Sequence, residues 1–439
     1  MLLKYFNLET NTIKRLILSL CLIFASVELA HTIELQDDVQ EYTEYSGIII
    51  DAQTNKPLVF ASIGIENTNI STITNNEGEF LLKVPDNINN ASVVISFLGY
   101  TQKTIPISEL KKRNNRITLV ASTIALSEIN VTLHKDAKEL VRKTLRRKGV
   151  NNLNEETLMT AFYRETIKKR RKNVSLAEAI VTLYKEPYNS VKRDKIKLYK
   201  ARKNTDYTKL DTLALKLQGG PFNALYIDLM KYPQFIFSDD TIDLYSFSFG
   251  ASTTINDQPV YVVNFKQRDE VGEPLYYGKL FIDSKSLALT SALYDLNVEN
   301  KALASALFVK KKPRDVKVYP TKAAYRVDYR QKNGKCYYGY SNVQLTFKVI
   351  KKGKLFNSIY SLSSEMAVTD WKLNIDEGLK NKERLKPSII IADEASGFSD
   401  PEFWGAYNVI EPEKSIESAI KKIQRQLKRS KSQGGESAP

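Results

Sequence analysis

Histidine is almost missing from this 439-residue chain: His31 and His134 are the only two. A zinc peptidase needs two histidines and a carboxylate, and a Ser-His-Asp or Cys-His nucleophile needs one imidazole beside it. Neither an H-E-x-x-H run nor a nucleophile-elbow sequence occurs, and His134 reads as an ordinary polar surface residue. Cysteine is equally scarce, with Cys21 and Cys336 alone. If the N-terminal segment is removed, one thiol remains, no intramolecular disulfide can form, and packing must supply the stability. No G-x-G-x-x-G or phosphate-loop sequence supports a nucleotide cofactor. Asp239, Asp240 and Asp243 lack the alternating oxygen-ligand loop and glycine of a calcium site, and read as a hydrated turn. The expectation is a protein that is no enzyme and holds no metal or cofactor.

Long apolar runs are lacking too, except near the start. Lys4, Lys14 and Arg15 precede an apolar stretch at 16–27, the architecture of a cleaved secretion signal over residues 1–30. About 20 apolar residues are needed to anchor in a bilayer, so the run is too short to stay as a span. Lipidation at Cys21 is the alternative, although Leu20 is bulky where that pattern wants a small residue. Residues 31–44 are acidic and polar, as suits a tether. The expected location is therefore the periplasm or the outer membrane's surface. A net charge of +15 would suit nucleic acid, but export favours an anionic envelope partner: lipid headgroup, lipopolysaccharide, cell-wall polymer or an envelope protein. A merely solvated basic surface remains the plain alternative.

What is plentiful is β-forming sequence, with 24 Tyr and 18 Phe against 2 Trp. From residue 45, short apolar runs at 47–50, 59–65, 70–74, 79–84, 92–97 and 116–120 alternate with turn residues, the pattern of a β-sandwich. Asp51, Asn55 and Pro57 make one turn. Asn75, Asn76, Glu77 and Gly78 make another, with Gly78 in the positive-φ region. The glycine strand at 47–50, the proline-led stretch 56–61, the T-x-x-x-G-x-F hairpin within 72–80 and the S-x-x-G-Y end at 96–100 together resemble the carboxypeptidase regulatory-like family. That resemblance implies a prealbumin-like β-sandwich over residues 45–121. One departure is Asn75 where aspartate is commoner, which should weaken the turn's side-chain hydrogen bonding without abolishing it.

Ala137, Leu140, Val141 and Leu145 recur at helical spacing, predicting a linker helix at 135–149 with Gly149 as its stop. Residues 151–410 read as a larger antiparallel β domain, with strands at 160–168, 174–185, 242–249, 260–266, 276–283, 288–297, 316–331 and 336–350. A helix remains the alternative for 174–185, since Ala, Leu and Glu favour helices. Asn333-Gly334 signals a tight hairpin, and 222–232 a short helix or loop. The phrase at 278–294 is similar to the repeated strand pair of lipoprotein-carrier folds, which implies a half-barrel over an apolar cavity. An outer-membrane barrel is disfavoured by lysines on both strand parities. An amphipathic helix follows at 413–430 and a disordered tail at 432–439; this ending resembles that of carboxypeptidase-regulatory-like proteins of Bacteroidota.

Between residues 301 and 354 fifteen Lys and Arg face only Asp315 and Asp328, with tyrosines interleaved. On paired strands this would form an anionic-ligand face from Lys310, Lys311, Lys312, Arg314, Lys317, Arg326, Arg330, Lys348, Tyr325 and Tyr329. Cys336 there reads as a packed thiol. The function expected is a non-enzymatic cell-envelope binding or scaffold protein that contacts membrane at most peripherally. The alternative is a periplasmic carrier or sensor of lipid or lipoprotein.

Overall fold

The structure, a computed structural model, describes residues 41–88, 90–122, 136–205, 218–374, 378–397, 403–413 and 418. The expected signal, Cys21, both histidines, nearly all of the 413–430 helix and the 432–439 tail lie outside the described residues. The described residues from Tyr42 onward form one compact unit.

The alternation that starts near residue 45 produces seven strands: β1 (Tyr42–Asp51), β2 (Ser62–Ile65), β3 (Ser71–Ile73), β4 (Glu79–Pro85), β5 (Ser92–Ser96), β6 (Lys103–Pro106) and β7 (Asn115–Leu119). They form two sheets, β4-β1-β7 and β3-β2-β5-β6, with β1 and β7 parallel and Gly47 opposite Asn115. Period-two side chains from both sheets, among them Ile49, Ile63, Phe80, Leu82, Ile95 and Ile117, fill the space between. Gly78 takes φ +74°, as its turn requires. Tyr100, which closes the S-x-x-G-Y stretch, donates to Asp51 at 2.7 Å. That bond, helped by those from Thr54, holds the Asp51 carboxyl at about 2. The strand expected at 59–65 begins only at Ser62, because Phe60 sits at φ +63° and turns its ring away from the sandwich.

The larger domain is a twelve-stranded sheet. Its strands are β8 (Thr157–Lys169), β9 (Lys172–Lys185), β10 (Lys195–Thr205), β11 (Tyr245–Phe249), β12 (Thr253–Ile255), β13 (Gln258–Gln267), β14 (Tyr276–Asp283), β15 (Leu289–Leu296), β16 (Val316–Lys332), β17 (Lys335–Lys351), β18 (Ser358–Leu373) and β19 (Ser396–Gly397). The order is β11-β13-β14-β15-β16-β17-β18-β8-β9-β10-β19, with β12 beside β13; only the two-residue β10–β19 pairing is parallel. Residues 174–185 are strand, paired with β8 across a turn in which Arg170 has φ +55°. Asn333 and Gly334, at φ +50° and +75°, make the tight β16–β17 turn. Pro320, which cannot donate to a ladder, falls at a register shift in β16.

The linker helix is α1 (Ala137–Arg146), capped by Asp136, which accepts from the amides of Lys138 and Glu139. Gly149 does not stop the chain as expected. It lies inside a further turn, α2 (Lys148–Asn151). The apolar stripe of α1 covers the sheet's inner face together with the segment 219–244, which opens with α3 (Pro221–Leu225). Phe222, Leu225, Met230, Tyr232 and Phe237 of this segment pack against Tyr163, Val181, Val263, Tyr294 and Tyr338. The space that an open half-barrel would leave for a ligand is thus occupied by the chain itself.

Candidate functional site

The outer face of the large sheet carries the sandwich. Residues 403–413 lie between the two: Trp404, Val409 and Ile410 pack with Phe162, Ile180 and Ala367 of the sheet and Ile73 of the sandwich. The Trp404 ring meets Phe162 edge-on at 5.6 Å. Asn408 accepts from the Lys83 amide at 2.7 Å and donates to the Lys83 carbonyl at 3.0 Å, so the segment bonds β4 much as another strand would. Asn75 accepts from the amides of Glu77 and Glu79, both at 2.9 Å, and donates through Nδ2 to the Glu411 carbonyl at 3.2 Å. Aspartate could not make that last bond. The departure from the family pattern therefore gains a contact to 403–413 while keeping the turn's own bonds.

Beneath this seat lies a buried ion cluster. Arg164 binds Glu178 at 2.7 Å and Glu365 at 3.3 Å, Arg202 binds Glu178 at 2.8 Å, and Arg164 donates to the Ile410 carbonyl at 2.6 Å. Burial alone would push Glu178 upward, but the two guanidiniums outweigh it and hold the carboxyl below its ordinary value. Glu365 stays raised, because its burial outweighs what Arg164 and the hydrogen bond from Tyr340 offset.

Beside the seat, sandwich and sheet part to leave a cleft of about 410 Å³. Its sandwich wall includes Ser62, Asn67, Asn69 and Ser96; its sheet wall includes Arg326, Asp328, Arg330 and Lys332. Arg326 pairs with Asp328 at 2.7 Å and lies over the Phe60 ring at 5.3 Å, which accounts for the turn that interrupts the expected strand. Arg330 donates to Ser71, to the Val368 carbonyl at 2.8 Å and to the Thr72 carbonyl at 3.3 Å. Lys332 donates to Asn69. Among the described residues no carboxylate forms an ion pair with Arg330 or Lys332. The cleft is lined by three cations, Arg326, Arg330 and Lys332, against two carboxylates, Asp328 and the sandwich's Glu66, with hydroxyls and amides beside them, so an acidic, hydroxyl-bearing group can be met at Arg330 and Lys332.

The single anionic-ligand face expected from the sequence is divided by the structure into three places. Arg326 and Arg330 meet the sandwich at the cleft. Tyr325 and Tyr329 point through the other side of the sheet into the core, Tyr325 stacking on Tyr294 at 5.2 Å and Tyr329 donating to Asp228 at 2.9 Å. The physical reason is strand parity: neighbours along β16 point to opposite faces, so basic residues and tyrosines that alternate cannot share one. Lys310, Lys311, Lys312, Arg314, Lys317 and Lys348 sit toward one end of the sheet, where Lys310 reaches Gln218 at 2.8 Å. Asp243 is held by Lys138 and, at 2.9 Å, by Arg142 of α1, while Asp239 and Asp240 are exposed in a turn.

Two buried arrangements on the inner face escaped the sequence reading. Lys185 binds Asp194 at 2.6 Å and Asp228 at 2.9 Å. Tyr188 and Tyr329 donate to Asp228, Tyr232 donates to Asp194, and the ammonium lies 5.2 Å from the centre of the Tyr188 ring. With its polar atoms mutually satisfied, this cage pins the 219–244 segment to β9 and β16. Nearby on β8, Tyr163 donates to Glu165 at 2.8 Å, and burial raises the Glu165 carboxyl to about 7. Cys336 is buried as expected, which pushes its thiol up to about 12. In a Cys21→Ser variant, a disulfide reagent at pH 8 should therefore react about a thousandfold more slowly with the folded protein than with the urea-unfolded chain. Equal rates would place Cys336 at the surface.

A family model described as the CarboxypepD_reg-like domain matches residues 45–131, in agreement with the resemblance read from the strand and turn motifs. No curated protein matches the chain. A solved structure similar to it is a DUF1329 family protein from Desulfovibrio piger, with 9% sequence identity and a TM-score of 0.22, covering 56% of this chain and 96% of that one.

Proposed function

We propose that the protein is a non-enzymatic cell-envelope binding protein, exported to the periplasm or held at the outer membrane. Its ligand is an acidic, hydroxyl-bearing polymer segment that enters the cleft between sandwich and sheet. The observation that carries this reading is the pair Arg330 and Lys332, two cations on a cleft wall without a carboxylate partner among the described residues, opposite Ser62 and Ser96. Charge-assisted bonds from a guanidinium are the strong ones, and a uronate or phosphate on a sugar chain would supply an anion in place of the neutral acceptors these two cations now meet. A carrier of lipid or lipoprotein would need the inner face vacated by residues 219–244, which the Lys185 cage opposes.

Calorimetric titration of the full chain with an oligogalacturonate and with a neutral oligosaccharide of equal length tests the reading. The acidic chain should bind, the neutral one should not, and Lys332→Gln and Arg330→Gln should each weaken binding about tenfold or more, as the loss of a charged hydrogen bond predicts. Because Arg330 also holds Ser71 and the Thr72 carbonyl, Lys332→Gln serves as the variant less tied to the sandwich's seat. Equal binding of both sugars, or unchanged affinity in both variants, would overturn it.

A further inference from the structure

The ladder registers bring three chain segments to one end of the large sheet. Val316 at the start of β16 stands opposite Lys351 of β17, Ser358 of β18 opposite Val349, and Tyr360 opposite Lys169 at the end of β8. Lys169 in turn faces Lys172 across the β8–β9 turn. The turn at 168–172, the β17–β18 loop that follows Lys351, and the stretch joining α4 (Lys301–Phe308) to β16 therefore project together. A small core of Ile167, Val316, Phe347, Val349 and Tyr360, joined by Phe308, holds their bases in place.

The charge of this end is extreme. Residues 168–172, 301–317 and 348–356 contain fifteen Lys and Arg and a single carboxylate, Asp315, whereas the whole chain carries +15. The remainder of the protein is thus close to neutral, and its basicity is essentially a property of this end. Among these cations stand large apolar side chains that none of the described residues covers: Leu355 is 96% exposed and Phe356 77%, at the tip of the β17–β18 loop. A soluble polyanion would give such side chains no place to go, and exposed apolar groups rimmed by cations mark a surface that is apolar beneath and anionic above.

We propose that this end of the sheet docks onto an anionic lipid bilayer, with Leu355 and Phe356 entering the headgroup layer while Arg170, Arg171, Lys352 and Lys354 meet lipid phosphates. Apolar insertion and electrostatic attraction then act together, and each basic residue near the surface adds to binding within a Debye length of it. The cleft lies on a different part of the molecule, so the two readings stand or fall separately.

The test is co-sedimentation of the full chain with vesicles of phosphatidylcholine alone and with about a third of the lipid replaced by phosphatidylglycerol. Using the full chain makes the apolar stretch at 16–27 common to every variant. The anionic vesicles should bind the protein at least tenfold more tightly, and the preference should fall as salt rises. Two double variants separate the contributions: Leu355→Ser/Phe356→Ser removes the apolar tip, and Arg171→Glu/Lys352→Glu reverses two exposed charges. Each should weaken binding to anionic vesicles about tenfold or more. Lys111→Glu/Arg113→Glu, exposed on the sandwich, should change it less than about twofold. Equal binding to both vesicle types, no effect of either double variant, or capture by soluble polyphosphate with none by vesicles would each overturn the proposal.

Discussion

Replacing Lys185 by methionine will destabilise the fold by roughly 3–5 kcal/mol, because it leaves two buried carboxylates without their cation. Asp194 and Asp228 are 1% and 0% exposed, and the ammonium is the positive group that both of them bind. The fall should be read as a lower midpoint of urea unfolding with the slope unchanged. The informative companion is the triple variant Lys185→Met/Asp194→Asn/Asp228→Asn. It removes the stranded charges and keeps oxygens to accept from the tyrosines, so it should recover part of what the single variant loses. A single variant as stable as the parent would mean that the cage is not an ion cluster.

Glu165→Gln should act in the opposite direction, and only at higher pH. Burial raises the folded carboxyl from about 4.5 to about 7, so between those values the unfolded chain releases a proton that the folded chain keeps. The unfolded state then binds fewer protons, and stability falls as pH rises through this window before levelling off above it. Removing the group removes the penalty. The variant should match the parent near pH 4 and exceed it by about 3 kcal/mol at pH 8, since each pKa unit is worth about 1.4 kcal/mol. Denaturant titrations of parent and variant at both values decide it, and a constant difference across pH would refute the assignment.

The sandwich was legible in the sequence because its signals are local. A glycine that must take φ +74°, an asparagine that caps its own turn and a period-two stripe all act within ten residues. The strands β14, β16 and β17 were legible for the same reason. β18 was not named, since its outward Ser361, Ser363 and Glu365 blunt the alternation, and the last of these is polar because it meets Arg164 and Tyr340, neither of them near in sequence. The filling of the inner face was hidden similarly: 222–232 reads as a short helix or loop, and only the sheet's partner side chains reveal it as core. For the site, residue type was informative and grouping was not. Arg326 and Arg330 stand out by residue type and do line the cleft, but a net charge along a strand says nothing about which face each side chain takes. The cleft needed the sandwich's position, which depends on residues 403–413, more than three hundred residues away from β3.

That distance has a bearing on how the molecule is made. The sandwich's pairings close within residues 42–119, so it can form while most of the chain is still being synthesised, whereas β8 must wait about two hundred residues for β18. Until then β8 and β9 expose an unpaired, apolar hairpin edge, the sort of species that associates wrongly at high concentration. The seat for the sandwich is completed later still, when residues 403–413 arrive to lie against β4. Loop-closure entropy of this size predicts slow, late docking after a quick early module. Refolding followed at Trp404, which sits in that seat, should therefore lag behind the appearance of β signal by a separate slow phase.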